Sequence, residues 1–320
     1  MKILVTGGAG FIGSHVTDAL LAHNHEVHVL DNLSSGRRVN LPDDVPLHVN
    51  DIRAEESKAL FARHNYQVLI HHAAQMDVRA SVNNPGTDAE INIGGFLNLM
   101  EAGRQHGLEK VIFASTGGAI YGEPEYTPQD EHHPLKPLSP YGIAKLTTEK
   151  YLSFYREQYG IQSICLRYAN VYGPRQSVQG EAGVVAIFSA QMLQGQAPTI
   201  NGSGTQTRDY VYVGDVVRAN VAALNYESSG AFNVGTARET SVNDLFHMIR
   251  AEANADCEKV HGPAKPGEQQ RSVLDYSKAA KLLEWTPEVD LRDGLSRTVD
   301  WFRSQRMGEA PDASPPVGVS

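Results

Sequence analysis

The sequence predicts an α/β protein: a doubly wound parallel sheet covered by helices on both faces, with a second, smaller substrate-binding lobe. Three observations carry this expectation. In the first half, short β-branched or apolar runs alternate with helix-length segments, the rhythm of strand-helix-strand units whose sheets are parallel. Directly after the first run, Gly7, Gly10 and Gly13 recur at intervals of three. After Tyr168 the rhythm gives way to longer loops rich in Gly, Pro and Gln, such as Asn170 to Gly183 and Gly195 to Thr207.

The runs read as strands are Lys2 to Thr6, Glu26 to Asp31, Pro46 to Asp51, Gln67 to His72, Lys110 to Thr116 and Gln162 to Tyr168. Between the first two, Ile12, Val16, Ala19 and Leu20 recur at helical spacing over Phe11 to Ala22. A later run, Ala231 to Gly235, reads as a buried strand returning to the same sheet. The expected limits are therefore 1–169 with a returning strand near 231–236, an interleaved smaller lobe over 170–306, and a tail from 307. That tail has too few large apolar residues to offset its ordering entropy and is expected to be disordered.

At 320 residues, with 41% hydrophobic and 20% charged, the chain has the balance of a soluble globular protein and no apolar run of bilayer length. The apolar run after Lys2 ends in glycines after four residues, too short for a signal peptide, so the expected location is the cytoplasm. A net charge of −9 argues against nucleic-acid binding. Cys165 and Cys257 lie far apart in no metal-ligand spacing. His71 and His72, as strand neighbours, point to opposite faces, and His132-His133 sits in a Pro-containing loop. No metal site is expected.

The strand, the glycines and the helix after them form a dinucleotide-binding turn of the Rossmann type. A pyrophosphate must approach backbone N–H groups at a helix N-terminus, where side chains would block it and the helix dipole favours anions. Asp31 ends the second strand eighteen residues after Gly13, placed to accept from the adenosine ribose and to repel a 2′-phosphate, which favours NAD over NADP. Arg37 and Arg38 nearby read as a solvated surface pair. Asp51 is placed either to meet the adenine or simply to cap a turn.

Tyr141 and Lys145 are one helical turn apart after the helix entrance Ser139-Pro140, so their side chains share a face. A phenol is a poor base at its free pKa near 10, and a neighbouring ammonium with a positive nicotinamide lowers it. Behind a dinucleotide-binding half, such a pair suits hydride chemistry.

These motifs together resemble the extended short-chain dehydrogenases/reductases, and within them the UDP-glucose 4-epimerases. The resemblance runs from Met1 to about Arg303 through TGGAGFIG (Thr6 to Gly13), HHAA (His71 to Ala74), YGIAK (Tyr141 to Lys145), LRYANVYGP (Leu166 to Pro174) and RDYVYVGDV (Arg208 to Val216). It implies that Tyr141 is the base, that Lys145 orients the nicotinamide ribose, and that the NAD contacts include Phe11, Ile12, Asn32, Ile52, His72, Ala73, Ala74, Asn92 and Tyr168. It also implies a hydroxyl at the end of the fifth strand that bonds the sugar. Counting from the strand selects Thr116; counting back from Tyr121-Gly122 selects Gly117, which has no hydroxyl. Thr116 is the choice, with Ser115 as the alternative.

For the UDP part of a UDP-sugar the resemblance implies Asn170, Arg208 and the stretch Lys265 to Arg271, with Lys265 where the family has an Arg and Glu268 facing the ribose. Ser272 matches a position bordering the sugar's C2 substituent, where a small residue leaves room for an N-acetyl group. The resemblance further implies a homodimer joined through Asp88 to His106 and Tyr141 to Tyr159. Related dehydratases carry an Asp-Glu pair where this chain has Gly117-Gly118, so epimerisation at C4 of a UDP-hexose is the consistent expectation. The rivals are a dehydratase, decarboxylase or net oxidoreductase of the same fold, a UDP-uronate epimerase, and a non-catalytic dinucleotide sensor.

Overall fold

The computed structural model describes residues 1–178, 183–264 and 269–308. Strands β1 (Lys2–Thr6), β2 (Glu26–Asp31), β3 (Leu47–Val49), β4 (Val68–His71), β5 (Lys110–Thr116) and β6 (Gln162–Tyr168) join the returning strand Gly230–Val234 in one sheet. The seven run in the order returning strand, β6, β5, β4, β1, β2, β3, and every pair is parallel. Such a sheet is buried on both faces, and this explains why its strands read as nearly continuous apolar runs. The order reverses between β1 and β4, and in doubly wound sheets the crevice beyond the strand ends at that point takes the ligand.

β1, β2, β5 and β6 match the sequence reading residue for residue, while β3 and β4 are shorter at both ends. β3 stops early because the chain turns at Asp51, whose carbonyl accepts from Ala54 N–H at 3.0 Å and from the Ser57 hydroxyl at 2.7 Å.

One face of the sheet packs on the helices Phe11–Ala22 and Val213–Asn225 through Val16, Leu20, Val216, Ala219 and Ala223. The other packs on Glu55–His64, Phe96–Gln105 and Pro140–Tyr159 through Leu60, Phe61, Leu99 and Leu152. A separate core of Tyr172, Phe188, Met192, Phe246, Ile249, Leu295 and Val299 gathers the later helices. Short ladders surround it: Asn170–Tyr172 with Tyr210–Tyr212, Thr199–Asn201 with Val260–Gly262, and Thr207–Arg208 with Thr240–Ser241. The last helix, Leu291–Gly308, runs two residues into the stretch read as a tail, and 309–320 lie outside the described residues. Among the described residues no helix is long and apolar enough to cross a membrane.

Candidate active site

The glycine turn sits at the C-terminal end of β1. Gly7 has φ +66°, and a Cβ there would lie 2.7 Å from Ala73 N, so only glycine lets this turn meet the loop after β4. The helix Phe11–Ala22 begins at Gly10 with no side-chain cap. Its first-turn N–H groups, at Phe11, Ile12 and Gly13, have no intrahelical acceptor and suit an anion.

Asp31 is 7% exposed and accepts from Ala9 N–H at 3.0 Å and Leu33 N–H at 2.8 Å, one bond to each oxygen. Each oxygen keeps a lone pair for a ribose hydroxyl. Burial pushes its pKa up, against those two bonds. Asn32 accepts from Ser34 N–H. Arg38 donates to the carbonyls of Pro42 and Asp43 at 2.9 and 2.8 Å, surface bonds that tie it to its own loop, and Arg37 is exposed. Asp51 stands two residues past β3 in a bidentate pair with Arg53, at 2.8 and 2.9 Å, which holds its carboxyl at about 2. Ile52 is buried beside it.

The loop after β4 covers the glycine turn. His72 stacks on Tyr168 with centroids 6.3 Å apart, and Tyr168 Oη lies 3.3 Å from His72 Nε2 while accepting from Asn220 at 2.8 Å. His72 Nδ1 is buried without a protein partner. Burial, then Lys145, push both His71 and His72 down to about 3, so both rings are neutral at physiological pH; the next contribution to His71 comes from His72. Ala73 N–H donates to Thr6 Oγ1, and Ala74 follows in the same loop. Asn92 is buried in a π-helical turn, Glu90–Gly95; it exchanges bonds of 2.9 Å with the backbone of Gln75 and donates to Asp88 at 3.0 Å. Its amide therefore shapes the loop after Ala74.

Helix Pro140–Tyr159 starts as predicted, with Ser139 accepting from Gly142 N–H and Pro140 in the first turn. A Cβ on Gly142 would fall 2.5 Å from the Ala119 carbonyl, so the glycine lets Tyr141 approach the turn that follows β5. Lys145 is 4% exposed, donates to the Ala114 carbonyl at 2.8 Å, and has Nζ 5.8 Å from the Tyr141 ring centre. Burial pushes Lys145 down to about 8. Burial, followed by the Asp88 carboxylate, pushes the Tyr141 phenol above its ordinary value. The lowering expected from the sequence is not found in the protein alone.

Ser115 and Thr116 point to opposite faces. Ser115 is 3% exposed and donates to Glu149 at 2.6 Å. Glu149 also binds Arg167 at 2.7 and 3.0 Å, and Arg167 reaches Tyr121 at 2.9 Å. Thr116 ends β5 partly exposed, and its hydroxyl makes no hydrogen bond with the described residues. The Tyr141 hydroxyl makes none either. Thr116→Val should lower kcat about ten- to a thousandfold with little change in stability. Ser115→Ala should chiefly lower Tm, by removing a bond worth about 1–3 kcal/mol to a charged partner. The reverse pattern in kinetics and thermal melts would move the sugar's hydroxyl partner to Ser115.

In the smaller lobe, Asn170 has an exposed side chain and its N–H donates to the Asp209 carbonyl. Arg208 donates to the Thr207 carbonyl at 2.8 Å and is half-buried. Asp209 forms no surface pair with it: 1% exposed, it accepts from the backbone of Thr236, Ala237 and Leu274 and from the Thr236 hydroxyl. Ser272 is 2% exposed and its carbonyl accepts from Asp209 N–H at 2.9 Å, continuing a ladder that begins with Thr207 N–H and the Gln270 carbonyl. Lys265 and Glu268 lie outside the described residues.

A dinucleotide cradle followed by a helix that carries a Tyr-Lys pair is the arrangement of a nicotinamide-dependent enzyme. The model of the NAD dependent epimerase/dehydratase family matches residues 3–235, and the chain belongs to that family. A UDP-glucose 4-epimerase of Mycolicibacterium smegmatis is 44% identical over 311 residues, 95% of this chain and 99% of that one. The solved UDP-glucose 4-epimerase of Thermotoga maritima with UDP-glucose is 48% identical with a TM-score of 0.94, over 96% of this chain and 100% of that one. That of Thermus thermophilus in complex with NAD is 45% identical with a TM-score of 0.91, over 95% and 99%.

Proposed function

We infer that this chain is a UDP-glucose 4-epimerase that interconverts UDP-glucose and UDP-galactose on bound NAD. The observation that carries this reading is the pair of hydroxyls, Tyr141 and Thr116, without a hydrogen-bond partner among the described residues, at the C-terminal end of the sheet beside buried Lys145, with glycines at 117 and 118 where a dehydratase needs acids. Elimination lacks a second proton carrier there, whereas epimerisation needs one base and one positioned hydroxyl.

NAD fits the observed cradle: the Gly7 turn leaves room for a pyrophosphate, the helix start offers N–H groups, and Asp31 retains lone pairs toward a ribose. When bound, it supplies hydride exchange at C4 of the sugar. Tyr141 takes the proton of the 4-hydroxyl and returns it to the oxygen of the inverted sugar. Thr116 holds that same oxygen by a hydrogen bond. Lys145, anchored on Ala114, keeps N–H groups for the nicotinamide ribose and holds positive charge next to the developing phenolate. Asn170, Arg208, Lys265 and Glu268 hold the nucleotide, leaving the sugar free to turn over between the two half-reactions. Residues 1–169 with the returning strand carry the cofactor, and 170–306 carry the UDP. The small side chain of Ser272 supports acceptance of N-acetylated UDP-hexoses as well.

The test is to incubate the purified chain with UDP-galactose and follow products by NMR. UDP-glucose should appear with no net NADH. Accumulation of a 4-keto-6-deoxy sugar, a pentose or free NADH would point to one of the rivals.

The proposal includes a homodimer and a cytoplasmic location, where the free thiols Cys165 and Cys257 stay reduced. Ile143, Tyr151 and Phe154 are 51%, 37% and 46% exposed. At about 100° per residue they fall within about 80° of one another on helix Pro140–Tyr159, an apolar stripe of the sort that marks an interface. Phe154→Lys should convert a dimer to a monomer in light scattering at micromolar concentration; a wild-type monomer contradicts the stripe's assignment.

A further inference from the structure

Three histidines far apart in sequence meet at the edge of the sheet, away from the glycine turn and the Tyr-Lys pair. His28 lies on β2, His48 on β3, and His64 ends the helix Glu55–His64. Strand register makes the first two neighbours: Leu30 pairs with His48, and His28, two residues before Leu30, projects to the same face. The helix that ends in His64 packs on that face through Leu60 and Phe61, which share a core with Leu30.

The nearest ligating nitrogens of the three rings lie within 4.8 Å of one another, and His28 Nδ1 is 3.2 Å from His48 Nε2. Two imidazole nitrogens on one tetrahedral zinc, at bonds of about 2.0–2.1 Å, stand about 3.3–3.4 Å apart, so this pair is already near coordination spacing. The outer nitrogen of His28, Nε2, lies 3.5 Å from Glu26 Oε1, itself bonded to Lys2 at 2.9 Å. A carboxylate on the outer N–H fixes the tautomer whose inner nitrogen carries a bare lone pair, the usual arrangement of a zinc histidine. Burial, then the neighbouring His64, lower both His28 and His48, with Arg63 adding to the effect on His48. The Tyr66 hydroxyl, 2.9 Å from His28 Nδ1, is the one competitor for that lone pair among the described residues besides His48 itself.

We propose that His28, His48 and His64 form a zinc site, completed by a water, that ties the three-residue edge strand β3 to β2 and to the helix Glu55–His64. On binding, the Tyr66 hydroxyl turns from the ring nitrogen to that water. The site is structural and separate from the reaction centre, and it holds for the chain whichever sugar it acts on.

Tag-free protein, stripped with a chelator, is titrated with Zn2+ by calorimetry and with Co2+ by visible absorption. One equivalent should bind at micromolar Kd or tighter, Co2+ should give the intense bands of a tetrahedral site, and Zn2+ should displace it and raise Tm. His48→Gln and His64→Gln, both at half-buried positions, should each weaken Zn2+ by about a hundredfold while far-UV circular dichroism and bound NAD stay unchanged. Glu26→Gln, which removes no ligand, should weaken it by roughly tenfold. Absence of binding by wild type at about 100 μM Zn2+, octahedral Co2+ spectra, or wild-type Zn2+ affinity in either histidine variant would overturn the proposal.

Discussion

Tyr141→Phe should bring epimerase turnover to a hundredth of wild type or less while NAD stays bound. The substitution removes one oxygen and leaves the ring beside Lys145. General-base catalysis is worth about 10²–10⁴ in rate, and no second base stands after β5, where residues 117 and 118 are glycines. The half-buried phenol sits above its ordinary value in the protein alone, so its proposed use as a base depends on the cofactor's charge. The variant should therefore retain its NAD through gel filtration yet lose activity at every pH. Turnover above a hundredth of wild type would remove Tyr141 from the base's role.

Arg167→Met should unfold the protein far more readily without touching the reacting atoms. Arg167 and Glu149 form a bidentate pair with side chains 6% and 7% exposed, which joins β6 to helix Pro140–Tyr159. Tyr121, which accepts from Arg167, passes the connection to Asn233 on the returning strand at 2.7 Å. Removing the guanidinium leaves a buried carboxylate with Ser115 as its remaining donor, at about 3–5 kcal/mol. At about 2.1 cal/mol/K of unfolding entropy per residue, that lowers Tm by roughly 5–8 °C. Removing both charges, as Arg167→Met with Glu149→Leu, should recover most of the loss because no ion is left unpaired. A single variant that melts within about 1 °C of wild type would show that the pair is neutral for stability.

What could be read from the sequence was local. The glycine turn, each apolar run and the spacing of Tyr141 and Lys145 lie within a dozen residues, so β1, β2, β5 and β6 and the start of helix Pro140–Tyr159 were placed correctly. The ends of β3 were not: Pro46, Asn50 and Asp51, residue types that strands disfavour, fall outside it, and the hydrogen bonds to the Asp51 carbonyl mark the turn. The functions of the aspartates in RDYVYVGDV were equally hidden. Asp209 gathers backbone N–H groups from two distant loops, and Asp215 binds Arg218 and accepts from the backbone at Glu288 and Val289. Thr116 was preferred to Ser115 from strand position alone; the partner of Ser115, Glu149 thirty-four residues away, was not visible in the sequence. The histidine trio had no spacing motif at all: strand register and one helix end bring 28, 48 and 64 together.

The returning strand has a consequence for how the chain comes off the ribosome. Until Gly230–Val234 emerges, β6 has no neighbour on its outer side, and the buried Arg167 cannot complete its link to Asn233. An open parallel edge rich in apolar residues is a template for wrong pairing. The nascent nucleotide-binding half must therefore wait, through the synthesis of more than sixty further residues, for its last strand. A fragment ending at 169 keeps that edge permanently open, so it should aggregate when expressed alone, and the two halves cannot be separated by cutting the gene once.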